Sequence, residues 1–200
     1  MWDQRYAASD YVYGTEPNDF LRQQVQHIPT GKVLCLADGE GRNSVYLASL
    51  GYEVTAVDSS AVGLEKAHKL ALEKGVTITT EVADLADYDL GLNQWQGIVS
   101  IFCHLPPPLR KQIHANIAAA LSTDGALLLE AYTPEQLKFA TGGPPIAAMM
   151  MQASELQKEL SDLQIRLCTE LQREVVEGAG HNGTGAVVQF IGIKLKPSSP

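Results

Sequence analysis

The chain has 200 residues, 45% of them hydrophobic, with a formal net charge of −8, a pI near 5.1 and a mean hydropathy of −0.05. That length suits one domain able to bury a real core. The acidic balance excludes a nucleic-acid-binding face, no apolar run has membrane-spanning length, and Met1-Trp-Asp-Gln-Arg5 lacks the charged-then-apolar pattern of a secretion signal.

In chain order, Trp2-Asp-Gln-Arg-Tyr6 and Tyr11–Leu21 crowd aromatics ahead of any strand. They form either a lid that stacks on a ligand and excludes water, or a hydrophobic clasp over a sheet edge or helix face. Lys32–Ala37 reads as the first strand, Asn43–Leu50 as a helix ended by Gly51, and Tyr52–Val57 as the second strand. Ser60 caps a helix running to about Glu73, with Leu64, Ala67, His68 and Ala71 on one face. Thr77–Val82 is the third strand, Gly97–Cys103 the fourth, Arg110–Leu121 a helix and Ala126–Tyr132 the fifth strand.

Thr133-Pro-Glu-Gln136 and Ser154-Glu-Leu-Gln157 have the pattern of capping boxes, the second opening a helix to about Leu160. Two β runs, Gln164–Glu177 and Ala186–Lys196, flank the glycine-rich Gly178–Gly185 and so form an antiparallel hairpin. The whole predicts a single α/β domain over residues 1–200. It is a Rossmann-like, seven-stranded sheet, mostly parallel, with a C-terminal antiparallel hairpin and helices on both faces.

Ligands of such sheets bind outside the carboxyl ends of the strands. Here that edge gathers Ala37–Gly41, Asp58-Ser59, Ala83-Asp84-Leu85 and Cys103-His104. A glycine turn between strand and helix lets a ligand approach the backbone, and an acidic residue about 20 positions on takes the hydroxyl pair of a ribose. Gly39 and Asp58 stand in that relation, which points to an adenosine-bearing ligand. The dinucleotide fingerprint G-x-G-x-x-G is missed, because Ser44 occupies its last place. Read one step earlier, the turn is Ala37-x-Gly39-x-Gly41.

Asp38 and Glu40 put carboxylates beside this turn, suited to a ligand's ammonium or to plain surface charge, and surface charge is the expectation for Glu40. Asp84 is either a reader of an adenine amino group or a solvated loop acid. His104 is the candidate general base or pocket donor, with a structural role as the alternative, and His181 is a second candidate base or a solvated loop residue. Methionines in Thr141–Met151 suit the wall of a small, soft acceptor pocket or a plain core contact. Cys35, Cys103 and Cys168 lie in apolar runs and read as buried thiols of a reducing compartment, and no spacing of His and Cys suggests a metal.

The turn and Asp58 resemble the first motifs of class I S-adenosylmethionine (SAM) methyltransferases. Cys35 stands where those enzymes usually carry an acidic residue, and Ala37 replaces their first glycine. More narrowly, the chain is similar to the tellurite-resistance-type branch of small bacterial enzymes. The similarity is carried by Trp2-Asp-x-Arg-Tyr6, Tyr13-Gly-Thr-Glu-Pro-Asn18, Ala37–Asn43, Ala56-Val-Asp-Ser59, Gly142-Gly-Pro-Pro145 and Ala186-Val-Val-Gln-Phe190. The resemblance implies SAM as cofactor, lined by Ala37, Gly39, Gly41, Asn43, Asp58, Ser59, Asp84, Leu85 and Phe102 and closed from above by Tyr13.

It divides the domain into a lid or cap segment at 1–30, a cofactor-binding core at 31–132 and acceptor-side helices with the terminal hairpin at 133–200. It also implies a cytoplasmic enzyme with a small-molecule methyl acceptor, such as a thiol or a tellurite- or selenite-type oxyanion, and neither nucleic acid nor membrane as partner. No nucleic-acid amino-methyltransferase motif follows the fourth strand, where Phe102-Cys-His-Leu-Pro stands instead. A non-catalytic SAM-binding sensor or partner subunit, and an NAD-binding Rossmann protein, are the alternatives. The oligomeric state is not legible.

Overall fold

Odd and even residues of each central strand go to opposite faces of one sheet, and this alternation divides the core in two. In the computed structural model, which describes residues 2–196, Leu34, Leu36, Ile98, Leu127, Leu129 and Phe190 face one layer of helices. Val33, Cys35, Val99, Ala126, Leu128 and Ile191 face the other. The strands are β1 (Lys32–Leu36), β2 (Glu53–Asp58), β3 (Thr79–Val82), β4 (Trp95–Ile101), β5 (Leu121–Tyr132), β6 (Gln164–Glu177) and β7 (His181–Ile193). Their order is β3-β2-β1-β4-β5-β7-β6. The first five are parallel; β7 runs antiparallel to both β5 and β6.

The helices are α1 (Trp2–Tyr6), α2 (Asp19–Gln24), α3 (Arg42–Ser49), α4 (Ala61–Glu73), α5 (Pro107–Ala120) and α6 (Ala153–Glu159). Residues of α2, α3 and α4 cover the Val33 face; α5 and α6 cover the Leu34 face. The expected architecture is therefore present, with helices on both sides. The antiparallel β7 wedged between β5 and β6 is also the feature a dinucleotide domain built only of βαβ units lacks. Among the described residues, no helix is long and apolar enough to cross a membrane.

Several local expectations need correction. Ser60 does cap α4, accepting from Gly63 N at 3.0 Å, but His68 is exposed and Leu70 takes the buried position. Thr133-Pro-Glu-Gln136 forms a short 3-10 turn without a side-chain cap, because the Gln136 amide instead bonds Thr141, Gly142 and Ala186. The second capping box begins two residues early: Glu155 reaches back to Gln152 N at 3.3 Å, and α6 starts at Ala153. The loop expected over Gly178–Gly185 shrinks to a turn, since β7 starts at His181. Cys168, expected buried, is only partly so on the edge strand β6.

One buried ion cluster joins α5 to α6. Arg110, 2% exposed, donates from Nε and Nη2 to the two oxygens of Glu159 at 3.1 and 2.8 Å, and from Nη1 to Met150 O at 3.0 Å. His114 Nδ1 meets the same Glu159 at 2.7 Å. Of the methionines offered as a pocket wall, Met151 packs into the core with α5 and α6, while Met150 packs beside Tyr132 and Val187.

Candidate functional site

The turn leaving β1 carries three left-handed residues: Ala37 (φ 50°), Gly39 (φ 60°) and Gly41 (φ 88°). The two glycines are required for different reasons. A Cβ on Gly41 would lie 2.4 Å from the Ala67 Cβ, so this glycine lets α3 close on α4. A Cβ on Gly39 would lie 2.6 Å from the Tyr6 hydroxyl, so this one lets the Tyr6 ring close over the backbone of the turn. Ala37 takes the same conformation at a cost of about 1–2 kcal/mol. Ala37→Gly is expected to raise stability, read as a higher urea midpoint with unchanged slope.

Asp58, at the end of β2, is buried, and both its oxygens are engaged. Oδ2 accepts from Gly39 N at 2.9 Å and Oδ1 from Ser60 N at 2.8 Å. Asp38 accepts from Ser44 Oγ at 2.5 Å. Burial raises the Asp38 carboxyl to about 6 against the Ser44 hydrogen bond, with the neighbouring Asp58 charge adding to the rise. Burial raises Asp58 as well. The Asp58 charge raises the proton affinity of the Asp38 beside it, and two neighbouring carboxylates suit a cationic ligand, of which SAM is one. With the Tyr6 ring shifted off Gly39, the side-chain-free backbone there and this charge set fit that cofactor.

Glu40 is not the surface charge expected. It is 3% exposed, pairs with Lys66 and accepts from Val12 N at 2.8 Å. Lys66 also donates to Ala8 O and Asp10 O at 3.0 and 2.7 Å, so it straps the N-terminal segment down. That segment lies over the turn: Asp3 accepts from Ser60 Oγ at 2.5 Å, and Tyr6 is buried against Gly39 and Gly63. Asn43 is buried with its Oδ1 accepting from Asn18 N at 3.0 Å, which anchors the same segment. Ser59 is exposed beside Asp58; Asp84 is exposed, its Oδ1 held by Ala86 N at 2.9 Å, and Leu85 is buried in the core. Burial pushes the Cys35 thiol well up, and its side chain serves packing alone.

At the ends of β4 and β5 an aromatic cluster closes the cleft. Phe102 (φ 52°) lies 4.6 Å, ring to ring, from both Tyr132 and His181. Tyr13 lies 4.6 Å from His181, and its hydroxyl accepts from Arg5 Nη1 at 3.0 Å. His181 is therefore no solvated loop residue; it is 6% exposed, with Nδ1 3.4 Å from Glu177 Oε2. Burial lowers its proton affinity despite Glu177, so it is neutral at pH 7. His104 is bonded differently: its Nε2 accepts from Tyr132 N at 2.9 Å. Burial, with His181 nearby, takes the His104 imidazole down to about 3. A lone pair already held by a backbone N–H does not suit the base expected at His104.

Sequence reasoning missed the polar network behind this cluster. Arg42 Nη2 donates to Glu177 Oε2 at 2.6 Å, and the Asn18 amide bridges Glu177 Oε1 and Glu130 Oε2 at 2.8 and 2.6 Å. Arg173 grips Glu130 through Nε and Nη2 at 2.9 and 2.5 Å. Glu177 is held down to about 2: burial alone would raise it, but hydrogen bonds from His181 and Arg42 and the Arg42 charge outweigh that. The one sequence signal was the glycine pair after Glu177. Gly180 N donates to Val12 O at 2.9 Å, and a Cβ on Gly178 (φ 65°) would lie 2.4 Å from Val12 O. Gly178→Ala is expected to cost about 1–3 kcal/mol in urea unfolding, because backbone is the obstacle.

Residues 33–125 match a family model described as a methyltransferase domain. No curated protein matches the chain. Among solved structures, it is similar to a protein described for conversion of a disulfide bond into a thioacetal group during echinomycin biosynthesis. That likeness has a TM-score of 0.78 and 17% identity, and covers 99% of this chain and 92% of the other. TehB from Haemophilus influenzae gives a TM-score of 0.72 and 21% identity over 96% of this chain, which spans only 65% of TehB. The N-methyltransferase NodS from Bradyrhizobium japonicum WM9 gives 0.67 and 11%, with 96% of each chain covered. The matched model describes a methyltransferase domain over residues 33–125, and the architecture is the fold of structures described as SAM-dependent methyltransferases. A TehB-like SAM-dependent methyltransferase from Corynebacterium glutamicum ATCC 13032 Kitasato shares the fold as well, 19% identical with a TM-score of 0.61 over 96% of this chain and 94% of the other.

Proposed function

We propose that this protein methylates a small, soft or anionic molecule of the thiol or chalcogen-oxyanion class in the cytoplasm. The observation that carries the reading is the packed aromatic cluster of Tyr13, Phe102, Tyr132 and His181 beside the glycine turn, rings suited to line a small acceptor rather than to seat a macromolecule. Asp58, Ser59 and the backbone at Ala37, Gly39 and Gly41 would hold the nucleoside, with Leu85 and Phe102 as apolar walls and Asp84 toward the adenine. Asp38 would face the ammonium. When bound, SAM supplies an electrophilic methyl on a sulfonium, which passes to an acceptor lone pair as the C–S bonding pair returns to sulfur.

Each residue then has a part to play. The segment from Trp2 to about residue 30 would exclude water by lying over the turn, and Tyr6 and α1 must shift to admit the cofactor. An acceptor that arrives as a thiolate needs no base. For one that brings a proton, His181 is better suited than His104: Glu177 takes its Nδ1–H, leaving the Nε2 lone pair of a neutral ring. His104 holds the end of β5 in register with Phe102.

Calorimetric titration with SAM, S-adenosylhomocysteine and NADH tests the cofactor, and methyl transfer to thiols, tellurite and selenite tests the acceptor. Binding of the first two with turnover of one acceptor is expected. Binding of NADH alone would overturn the reading, and SAM binding without transfer to any acceptor would favour a sensor. Affinity for SAM is further expected to rise as pH increases through about 6, because Asp38 must shed its proton to meet a cation. A flat affinity between pH 5 and pH 7.5, roughly spanning that titration, would remove Asp38 from the site.

A further inference from the structure

Beside the aromatic cluster lie two donors without partners. Among the described residues, Arg42 Nη1 and the Tyr132 hydroxyl are the buried side-chain polar atoms with no hydrogen-bond partner. Arg42 is 7% exposed and Tyr132 0%. Leaving such groups unsatisfied is costly, more so for a cation, and buried exceptions call for a functional account. They are not scattered. Arg42 Nη2 and His181 Nδ1 share Glu177 Oε2 at 2.6 and 3.4 Å, and the Tyr132 ring lies 5.2 Å from the His181 ring. The two donors thus flank one histidine from elements far apart in sequence, the start of α3 and the end of β5.

Above Tyr132, the Gly142-Gly143 loop presses close. A Cβ on Gly142 would lie 3.1 Å from the Tyr132 hydroxyl and 2.7 Å from His181 Cδ2. Any side chain at Gly142 would crowd that oxygen. Both free groups donate; burial and the nearby Glu177 charge raise the Tyr132 phenol, so it keeps its proton. A guanidinium can only donate and the phenol can donate as well, so whatever completes both groups must bring an acceptor for Arg42 and can bring one for Tyr132. The network's charges balance, Arg42 and Arg173 against Glu177 and Glu130, and Arg5 on Tyr13 adds a further cation.

We propose that Arg42 Nη1 and the Tyr132 hydroxyl anchor an anionic oxygen group, of carboxylate or oxyanion type, carried by the methyl acceptor. The proposal rests on the methyl-transfer reading of the same cleft and gives its acceptor a charge and two named contacts.

The test titrates 3-mercaptopropionate and its neutral amide, 3-mercaptopropanamide, into the protein by calorimetry, both free and saturated with S-adenosylhomocysteine. The carboxylate is expected to bind at least ~10-fold more tightly than the amide. Tyr132→Phe removes only the hydroxyl, and Arg42→Lys keeps a cation for Glu177 while losing the second guanidinium arm. Each is expected to abolish most of that preference while leaving S-adenosylhomocysteine affinity within about twofold.

Tyr132→Phe is also expected to melt at the same temperature or higher, since it deletes an unsatisfied group, so lost binding with retained stability separates anchoring from a structural role. Equal binding of acid and amide, binding of neither, or a preference that survives both substitutions would overturn the proposal. If S-adenosylhomocysteine fails to bind while the free protein still prefers the acid, the cofactor reading falls and the anchoring pair stands. If it binds and no preference is seen, the reverse holds.

Discussion

Asp58→Ala is expected to weaken SAM binding by at least ~10-fold, about 1.4 kcal/mol, and to destabilise the fold as well. The two effects share one cause. Asp58 accepts backbone N–H groups from Gly39 and Ser60, so it holds the glycine turn against the start of α4 while presenting its carboxylate at the end of β2. Removing it strands two buried donors, each costing about 1–3 kcal/mol when left unpaired. Asp58→Asn is expected to fall between: one oxygen remains, but the new amide N–H₂ opposes a backbone donor. Calorimetry with SAM and urea unfolding without it separate the contributions. If both variants bind SAM as the native protein does, Asp58 is a turn cap only, and the cofactor cradle lies elsewhere.

The sheet was legible because its signals are local. Alternating apolar residues in Val33–Leu36 and Ala126–Leu129, and the Ser60 cap, are decided within a few positions of chain. The turn and Asp58 were legible for a similar reason, since a left-handed turn limits what can occupy Gly39 and Gly41. What stayed hidden depends on partners far along the chain. Glu40 reads as loop charge until Lys66 and Val12 are seen around it, and Glu130 gives no sign within β5 that Asn18, Arg173 and Gln189 will meet it at zero exposure. His104 and His181 read alike as candidate bases until one ring is seen to be taken by a backbone N–H of β5 and the other to lie against Glu177. Sequence spacing shows which atoms stand at the rim of the sheet; only packing shows which lone pairs are already spent.

Arg110→Ala is expected to cost about 3–5 kcal/mol, the range for breaking a buried ion pair on one side. It strands Glu159, whose side chain is 9% exposed, and frees Met150 O from its only guanidinium contact among the described residues. The pH dependence has a definite sign. Burial alone would raise the Glu159 carboxyl, but hydrogen bonds from His114 and Arg110 outweigh it and bring it down to about 2 from the ordinary 4.5. Its contribution is therefore full above pH 4.5 and is lost as pH falls from 4.5 toward 2. The stability gap between native protein and variant should be widest at pH 7 and narrow steadily over that acid range, measured by urea unfolding at each pH.

A gap independent of pH would assign the loss to packing rather than to the ion pair. The double variant Arg110→Met with Glu159→Leu should recover most of the deficit, since neither the guanidinium nor the carboxylate is then buried without the other. The consequence reaches the site through Met150, which packs on Tyr132. If Arg110 fixes Met150, the single variant should loosen the Tyr132 side of the acceptor enclosure even where the sheet stays folded, and the double variant should not repair that loss, because the bond to Met150 O is gone in both.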